Sequence, residues 1–227
     1  MNCGRPLAFG ISALLIALGP CCAQDPGAAR AQRGLEALEG RPQARRLTCE
    51  SRAAADLLAY HGRPASEAEV FAQIPRSDNP DVGFVGDPDE EPGGLPPHGY
   101  GVHAAPVAAA LRALGMDAQA VSGRDLDWLR EETDEGRPVL VWITGSCTPS
   151  SATSLVDGGG RPFRAVRWEH VVMVLRVRAG VLVLDPATGH RVTFDRIEFD
   201  EAWALFDRAA VSVSGPSKAG VAPEGSR

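Results

Sequence analysis

The chain has 227 residues, of which 44% are hydrophobic and 23% charged, and its formal net charge is −6. This composition is ordinary for a globular chain with a sizeable core, so it excludes a wholly disordered protein and a collagen-like repeat. Because the chain is acidic and its arginines are scattered, we expect no nucleic-acid partner.

Residues 1–23 are typical of a secretory signal. Arg5 precedes an apolar run from Leu7 to Leu18 that is too short to span a bilayer, and Cys21-Cys22-Ala23 offers the small residues that a signal peptidase selects. We therefore expect cleavage after Ala23 and a secreted or periplasmic protein without a membrane span. A lipid-anchored form is the alternative.

The next half of the chain predicts helices. Residues 24–41 lack a sustained apolar stripe and are interpreted as a leader segment, which precedes a domain over 42–213. Capping residues, prolines and glycines then delimit four helices, which we place at residues 49–61, 66–74, 104–114 and 125–135. The second and third helices are separated by residues 75–101, a long loop rich in proline and glycine.

The apolar pattern changes at Pro138, where a continuous buried run begins. Strands are predicted at residues 138–143, 169–177, 181–184, 190–194 and 209–213, with a short helix near 201–206. Residues 146–165 are rich in Ser, Thr and Gly and predict a loop, and the tail 214–227 is predicted to be disordered. Helices followed by strands favour an α+β fold.

A set of residues with the chemistry of a thiol enzyme is distributed over these elements. Cys49 begins the first helix, where free N–H groups and the helix dipole favour a thiolate, so its pKa is expected to be low. His170 on one strand could act as its base and Asp185, at the end of the next strand, could orient that base. Gln43 precedes Cys49 by six residues and could supply an oxyanion donor together with the Cys49 backbone N–H.

Taken alone, each of these residues also has an ordinary explanation. Removal of the signal leaves two cysteines, Cys49 and Cys147, which could form one disulfide. His170 could be a packed strand histidine, and Asp185-Pro186 could simply open a turn. The order Gln, Cys, His, Asp is more specific than any one of them.

The sequence around these residues resembles the papain-fold cysteine peptidases related to the bacteriocin-processing, double-glycine-leader peptidases, in particular their stand-alone secreted members. The resemblance spans about residues 42–210 and is carried by the stretches PQARRLTCESRAAADLLAYHG, DNPDVGFVGDPDE, GYGVHAAPVAAALRALG, GRPVLVWIT, WEHVVMVLRV and VLVLDPATG. It implies a papain-like α+β fold in which a helical lobe carries Cys49 and an antiparallel sheet carries His170.

By this resemblance Cys49 is the nucleophile, His170 the base, Asp185 the orienting residue and Gln43 the oxyanion donor. Candidate substrate-binding residues come from the long loop and from the residue two before the histidine: Asn79, Gly83, Phe84, Gly86 and Trp168. The expected substrate is a peptide or protein, and no metal or other cofactor is expected. Relatives that cut double-glycine leaders are usually fused to a membrane transporter, and since no transmembrane segment follows here, leader cleavage at a transporter is not expected.

Two other functions are compatible with the same residues. The first is a non-catalytic peptide-binding module in which Cys49 is tied to Cys147. The second is a transglutaminase-like acyl transferase that uses the same triad to exchange an amine.

The hairpin that carries His170 and Asp185 makes a geometric prediction. A two-residue turn at Ala179-Gly180 would place both side chains on one sheet face, because side chains alternate between faces along each strand. A three-residue turn would place them on opposite faces unless a bulge restored the parity.

Overall fold

The structure is a computed structural model that describes residues 34–214 apart from residue 36. The predicted signal, most of the predicted leader and nearly all of the predicted tail lie outside the described residues. The described residues include the helices α1 (Cys49–Tyr60), α2 (Glu67–Ala72), α3 (Ala104–Ala113), α4 (Leu126–Asp134) and α5 (Arg196–Ala204). In the described part of the chain, none of the helices has the length and apolar character needed to cross a bilayer.

Between residues 34 and 214, eight strands form two antiparallel sheets. The strands are β1 (Ala118–Val121), β2 (Val139–Thr144), β3 (Ala152–Val156), β4 (Pro162–Val166), β5 (Glu169–Val177), β6 (Gly180–Asp185), β7 (His190–Asp195) and β8 (Ala210–Val213). The main sheet has the order β1-β8-β2-β5-β6-β7, and β3 pairs with β4 in a separate hairpin. The predicted mixture of helices followed by an antiparallel sheet is confirmed.

Helices cover both faces of the main sheet. Along β2 and β5, alternate side chains point to opposite faces, so Trp142 and Met173 join the core under α1 and α3. Val141 and Val172 instead join Phe199 and Trp203 in the core under α4 and α5. Because both faces of the main sheet are buried, its central strands are continuous apolar runs in the sequence. This is why the sequence alone predicted them.

Two of the predicted helix starts have the expected capping bonds and a third does not. Ser66 and Glu69 form the capping box of α2, and Asp125 accepts from the Trp128 N–H at the start of α4. Thr48 occupies the N-cap position of α1, but its side chain makes no capping bond there. Its hydroxyl contacts Glu67 and the Arg45 carbonyl oxygen instead.

Several sequence-based boundaries are wrong. The predicted loop over 146–165 contains the hairpin β3–β4, whose turn is closed by Asp157 accepting backbone N–H bonds from Gly159 and Arg161. Its polar composition resembles that of a loop because much of both strands is exposed. The edge strand β1, which the sequence did not predict, is also largely exposed. The last helix begins at Arg196, where Asp195 caps it, and not near residue 201. Leu35, in the predicted leader, is fully buried in the core.

The turn between β5 and β6 has three residues, because Val177 pairs with Val181. This register alone would place the side chains of His170 and Asp185 on opposite faces of the sheet. The register shifts at a bulge between Val174 and Arg176, beyond which Met173 pairs with Leu184. The bulge adds one residue to β5 and returns Asp185 to the face that carries His170, which is the second of the two arrangements that the sequence allowed.

Candidate active site

A cavity of about 470 Å³ opens where the start of α1 meets the ends of β5 and β6. Its walls come from the loop before α1, the turn after β2 and the residues that bracket the β5–β6 hairpin. The lining includes Gln43, Cys49, Trp168, His170 and Asp185. The structure therefore brings together five residues that the sequence singled out from distant segments.

Cys49 lies at the first position of α1 and is almost fully buried. Its thiol donates a hydrogen bond to Glu50 Oε2 at 3.4 Å, and the backbone N–H of Val171 bonds the sulfur from β5. Among the described residues, no hydrogen bond joins Cys49 Sγ to His170. The free thiol is therefore hydrogen-bonded to Glu50 and not to the imidazole of His170.

His170 is held by Asp185 through a 2.8 Å bond between Nε2 and Oδ1. Burial by itself would raise the pKa of Asp185, but the hydrogen bond and charge of His170 and the Ala187 N–H outweigh it and lower that pKa. Asp185 is therefore a carboxylate at neutral pH. Since Nε2 is bound to Asp185, the other ring nitrogen, Nδ1, is left to exchange a proton in the cavity.

Gln43 lines the cavity, but its side-chain amide already donates hydrogen bonds to backbone carbonyl oxygens. Both amide N–H groups are used, because Nε2 donates to the Arg45 carbonyl oxygen at 2.8 Å and to that of Arg46 at 2.7 Å. Gln43 Oε1 is buried without a partner. The backbone N–H of Gln43 bonds the Pro186 carbonyl oxygen at 2.7 Å, which fastens this loop beside Asp185. The amide must rotate before it can donate to an oxyanion.

The expected low pKa of Cys49 is wrong for this arrangement. Burial raises the pKa of the thiol well above its ordinary value, and the negative charges of Glu50 and Glu169 raise it further. These effects outweigh the Val171 N–H, which acts in the opposite direction. The expectation of a low pKa rested on the helix terminus and on His170. The sequence does not show that two carboxyl groups are buried beside the sulfur.

Cys49 and Cys147, the two cysteines within the described residues, are both free thiols. Cys147 ends a short 3₁₀ turn after β2 and packs against the core under α4 and α5, whereas Cys49 packs in the core under α1. Burial raises the pKa of Cys147 to about 12. Neither thiol therefore has the low pKa that would make it reactive toward alkylation at mildly acidic pH.

Four of the candidate substrate-binding residues lie away from the cavity lining. Asn79 is buried and donates to Asp157 Oδ2 at 3.0 Å, and Phe84 packs edge-on against Phe71 within the core. Gly83 and Gly86 allow close backbone approaches to Pro75 and Gly99. These residues shape the long loop and tie it to the β3–β4 hairpin. Only the fifth candidate, Trp168, lies at the cavity, where its 47% exposure places it on the rim.

Sequence reasoning missed Glu50 and Glu169, which lie beside Cys49 and directly before His170. One carboxylate oxygen of each glutamate and Cys49 Sγ all lie within 4.8 Å of one another. The available signal was a glutamate beside each of the two reactive residues, in segments that are otherwise apolar.

Replacing Asp185 with asparagine should lower the rate of any reaction that uses His170 as base by at least about tenfold, because the carboxylate orients the imidazole and stabilises its charged form. The measurement is the rate of substrate turnover. Asp195→Asn, which changes a helix cap far from the cavity, is the matched control. An unchanged rate in Asp185→Asn would exclude the orienting role.

Both the sequence and the fold are similar to those of known C39-like peptidases. The model of the Peptidase_C39 like family matches residues 36–211. A C39-like peptidase from Bacillus anthracis superposes with a TM-score of 0.70 at 24% identity, over 81% of this chain and 98% of that one. The peptidase domain of Streptococcus ComA, a bifunctional ABC transporter, superposes with a TM-score of 0.50 at 15% identity, over 79% and 99%. No curated protein matches the sequence. The two structural matches confirm the predicted fold.

Proposed function

Because the chain belongs to the C39-like peptidase family, we propose that it is a secreted cysteine peptidase that hydrolyses peptide bonds through Cys49, His170 and Asp185. The observation that carries this proposal is the cavity that all three residues line, with His170 bonded to Asp185 at its wall. The predicted signal over residues 1–23 supports secretion.

The chemistry follows from the positions of the three side chains. A turn of the thiol away from Glu50 brings the Cys49 proton to His170 Nδ1 while the sulfur attacks the carbonyl carbon of the substrate. The tetrahedral intermediate collapses when the protonated His170 gives that proton to the leaving amine, and a thioester remains on Cys49. Water then loses a proton to His170, attacks the thioester and releases the carboxylic acid, which restores the thiol.

The developing oxyanion needs hydrogen-bond donors beside the nucleophile. The backbone N–H of Cys49 lies at the start of α1, where helix N–H groups are unpaired. The Gln43 amide becomes the second donor after it rotates away from the Arg45 and Arg46 carbonyl oxygens. None of these steps requires a cofactor.

The peptide-binding alternative relied on a bond between Cys49 and Cys147. The two thiols are free and belong to cores on opposite faces of the main sheet, which argues against that bond. The acyl-transferase alternative uses the same first step and differs only in the group that attacks the thioester. Product analysis therefore has to separate it from hydrolysis.

The deciding experiment uses a mixture of peptides from a digested proteome, incubated with the protein in ¹⁸O-labelled water with and without a primary amine. Hydrolysis gives new carboxyl termini that carry ¹⁸O, and these should predominate even when the amine is present. Products that carry the amine in place of ¹⁸O would instead identify an acyl transferase. Peptides that are retained by the protein but not cleaved would identify a binding module.

A further inference from the structure

Two buried carboxyl groups lie beside the proposed nucleophile, and the mechanism above does not use them. Glu50 follows Cys49 on α1 and is fully buried, while Glu169 begins β5. Glu50 Oε1 accepts the Val102 backbone N–H at 2.6 Å, and Glu50 Oε2 accepts the Cys49 thiol at 3.4 Å. Glu169 Oε1 is buried with no hydrogen-bond partner.

Gly101 shows how closely the two carboxyl groups approach each other. A Cβ atom added there would lie 2.8 Å from Glu169 Oε2 and closer still to Glu50 Oε1. The backbone of residue 101 therefore contacts both groups at once, and a residue with a side chain would displace one of them. Its φ of +124° is also unfavourable for any residue other than glycine.

The charged groups around the pair do not neutralise it. Glu67 on α2 adds a further negative charge near Glu50, and it lies 4.0 Å from the Arg52 guanidinium. From the long loop, burial and the charges of both carboxylates raise the pKa of the Tyr100 hydroxyl, which is bonded to His103. Within the part of the chain that the structure describes, neither Glu50 nor Glu169 takes part in an ion pair with a basic side chain.

Two carboxylates in one buried space without a cation repel each other, so such a pair retains a proton that exposed carboxyl groups would have lost. We propose that Glu50 and Glu169 act on Cys49 as one acid pair, which shares a proton, orients the thiol through Glu50 and opposes thiolate formation once that proton is lost. They are positioning residues, since they touch the nucleophile and not the substrate.

The proposal, which deepens the proposed function, gives the peptidase an upper pH limit. Burial raises the pKa of Glu50 to about 7 and, with the charge of Glu50, raises the pKa of Glu169 well above its ordinary range. Below neutral pH the pair is protonated, and the Cys49 proton can pass to His170 against little negative charge. Above neutral pH the pair becomes negatively charged, so a further negative charge on the Cys49 sulfur becomes unfavourable.

The test measures alkylation of Cys49 by iodoacetamide across a pH series, with peptide mass spectrometry to identify the site. It reads the thiol directly, so it succeeds or fails whether or not the protein cleaves peptides. The variants are Glu50→Gln, Glu169→Gln and the double variant. Glu132→Gln is the control, because Glu132 is a partly buried carboxylate that pairs with Arg137 away from the cavity.

Above neutral pH, where the pair of the wild type is charged, the double variant should label Cys49 at least about tenfold faster than the wild type, since one unit of pKa changes the thiolate fraction tenfold, and the two labelling profiles should converge at lower pH. Each single variant keeps one carboxylate beside the sulfur, so each should show a smaller increase, and the control none. A folded double variant with the wild-type labelling profile would overturn the proposal.

Infrared spectroscopy at neutral pH provides a second measurement that does not depend on the double variant. The wild type should show the carbonyl band of a buried protonated carboxyl group, and this band should be lost or weakened in both single variants. Identical bands in the wild type and in both single variants would show that the pair holds no shared proton.

Discussion

Replacing Cys49 with alanine is expected to lower peptide hydrolysis by at least about 10³-fold, because no other group at the cavity can form the thioester. The substitution removes one buried sulfur atom at the first position of α1, a site where alanine is a good helix former. The fold should therefore survive. The measurement is the initial rate on a peptide identified by its ¹⁸O-labelled product, with circular dichroism to verify folding.

Cys147→Ala is the matched control for this prediction, since Cys147 is a half-buried free thiol in the other core. It should retain the wild-type rate. His170→Ala should lose about 10²-fold to 10⁴-fold, the usual contribution of a general base. If Cys49→Ala cleaved the peptide at the wild-type rate, the nucleophile would have to be another residue and the proposed mechanism would be wrong.

The free energy of unfolding is expected to fall as the pH rises from about 4.5 to above 7, with Glu50 contributing about 3 kcal/mol of the decline and Glu169 a further part. Burial raises the pKa of Glu50 from its ordinary value of 4.5 to about 7 in the folded chain. Between these values the folded state binds the proton and the unfolded state does not. The stabilisation is complete below the unfolded pKa and is lost as the pH rises through the folded one.

Denaturant unfolding at a series of pH values measures this effect in the wild type and in Glu50→Gln. The glutamine cannot ionise, so the part of the decline that Glu50 contributes should disappear in the variant, whereas the part that the buried Glu169 carboxyl contributes should remain. Asp157 and Asp185 do not add to this decline, because hydrogen bonds lower the pKa of each. The stability that each contributes is lost only in more acidic solution. Equal declines in the wild type and the variant would show that Glu50 ionises normally.

Much of the fold follows from local sequence. The helix from Cys49 to Tyr60, the capping box at Ser66 and the cap at Asp125 depend on residues within a few positions of one another. The buried strand after Pro138 is an uninterrupted apolar run. Such signals depend on hydrophobic period and backbone capping, so the chain order of the elements was largely predictable. The same holds for the choice of Cys49, His170 and Asp185, whose side-chain types and order carry the chemistry.

The remaining features depend on contacts between segments that are distant in the sequence. The bulge between Val174 and Arg176 decides that Asp185 faces His170, and local propensity does not predict a bulge of one residue. The exposed hairpin β3–β4 resembles a loop until its pairing is seen.

The ionisation of the site was the least predictable property. The sequence by itself determined that a thiol would begin a helix and that a histidine and an aspartate would follow on neighbouring strands. Only the tertiary structure decided that Glu50 and Glu169 would be buried together beside that thiol and that the Gln43 amide would bond the Arg45 and Arg46 carbonyl oxygens. The physical reason is that the pKa of a side chain depends on its burial and on the charges around it, both of which arise when distant segments pack together.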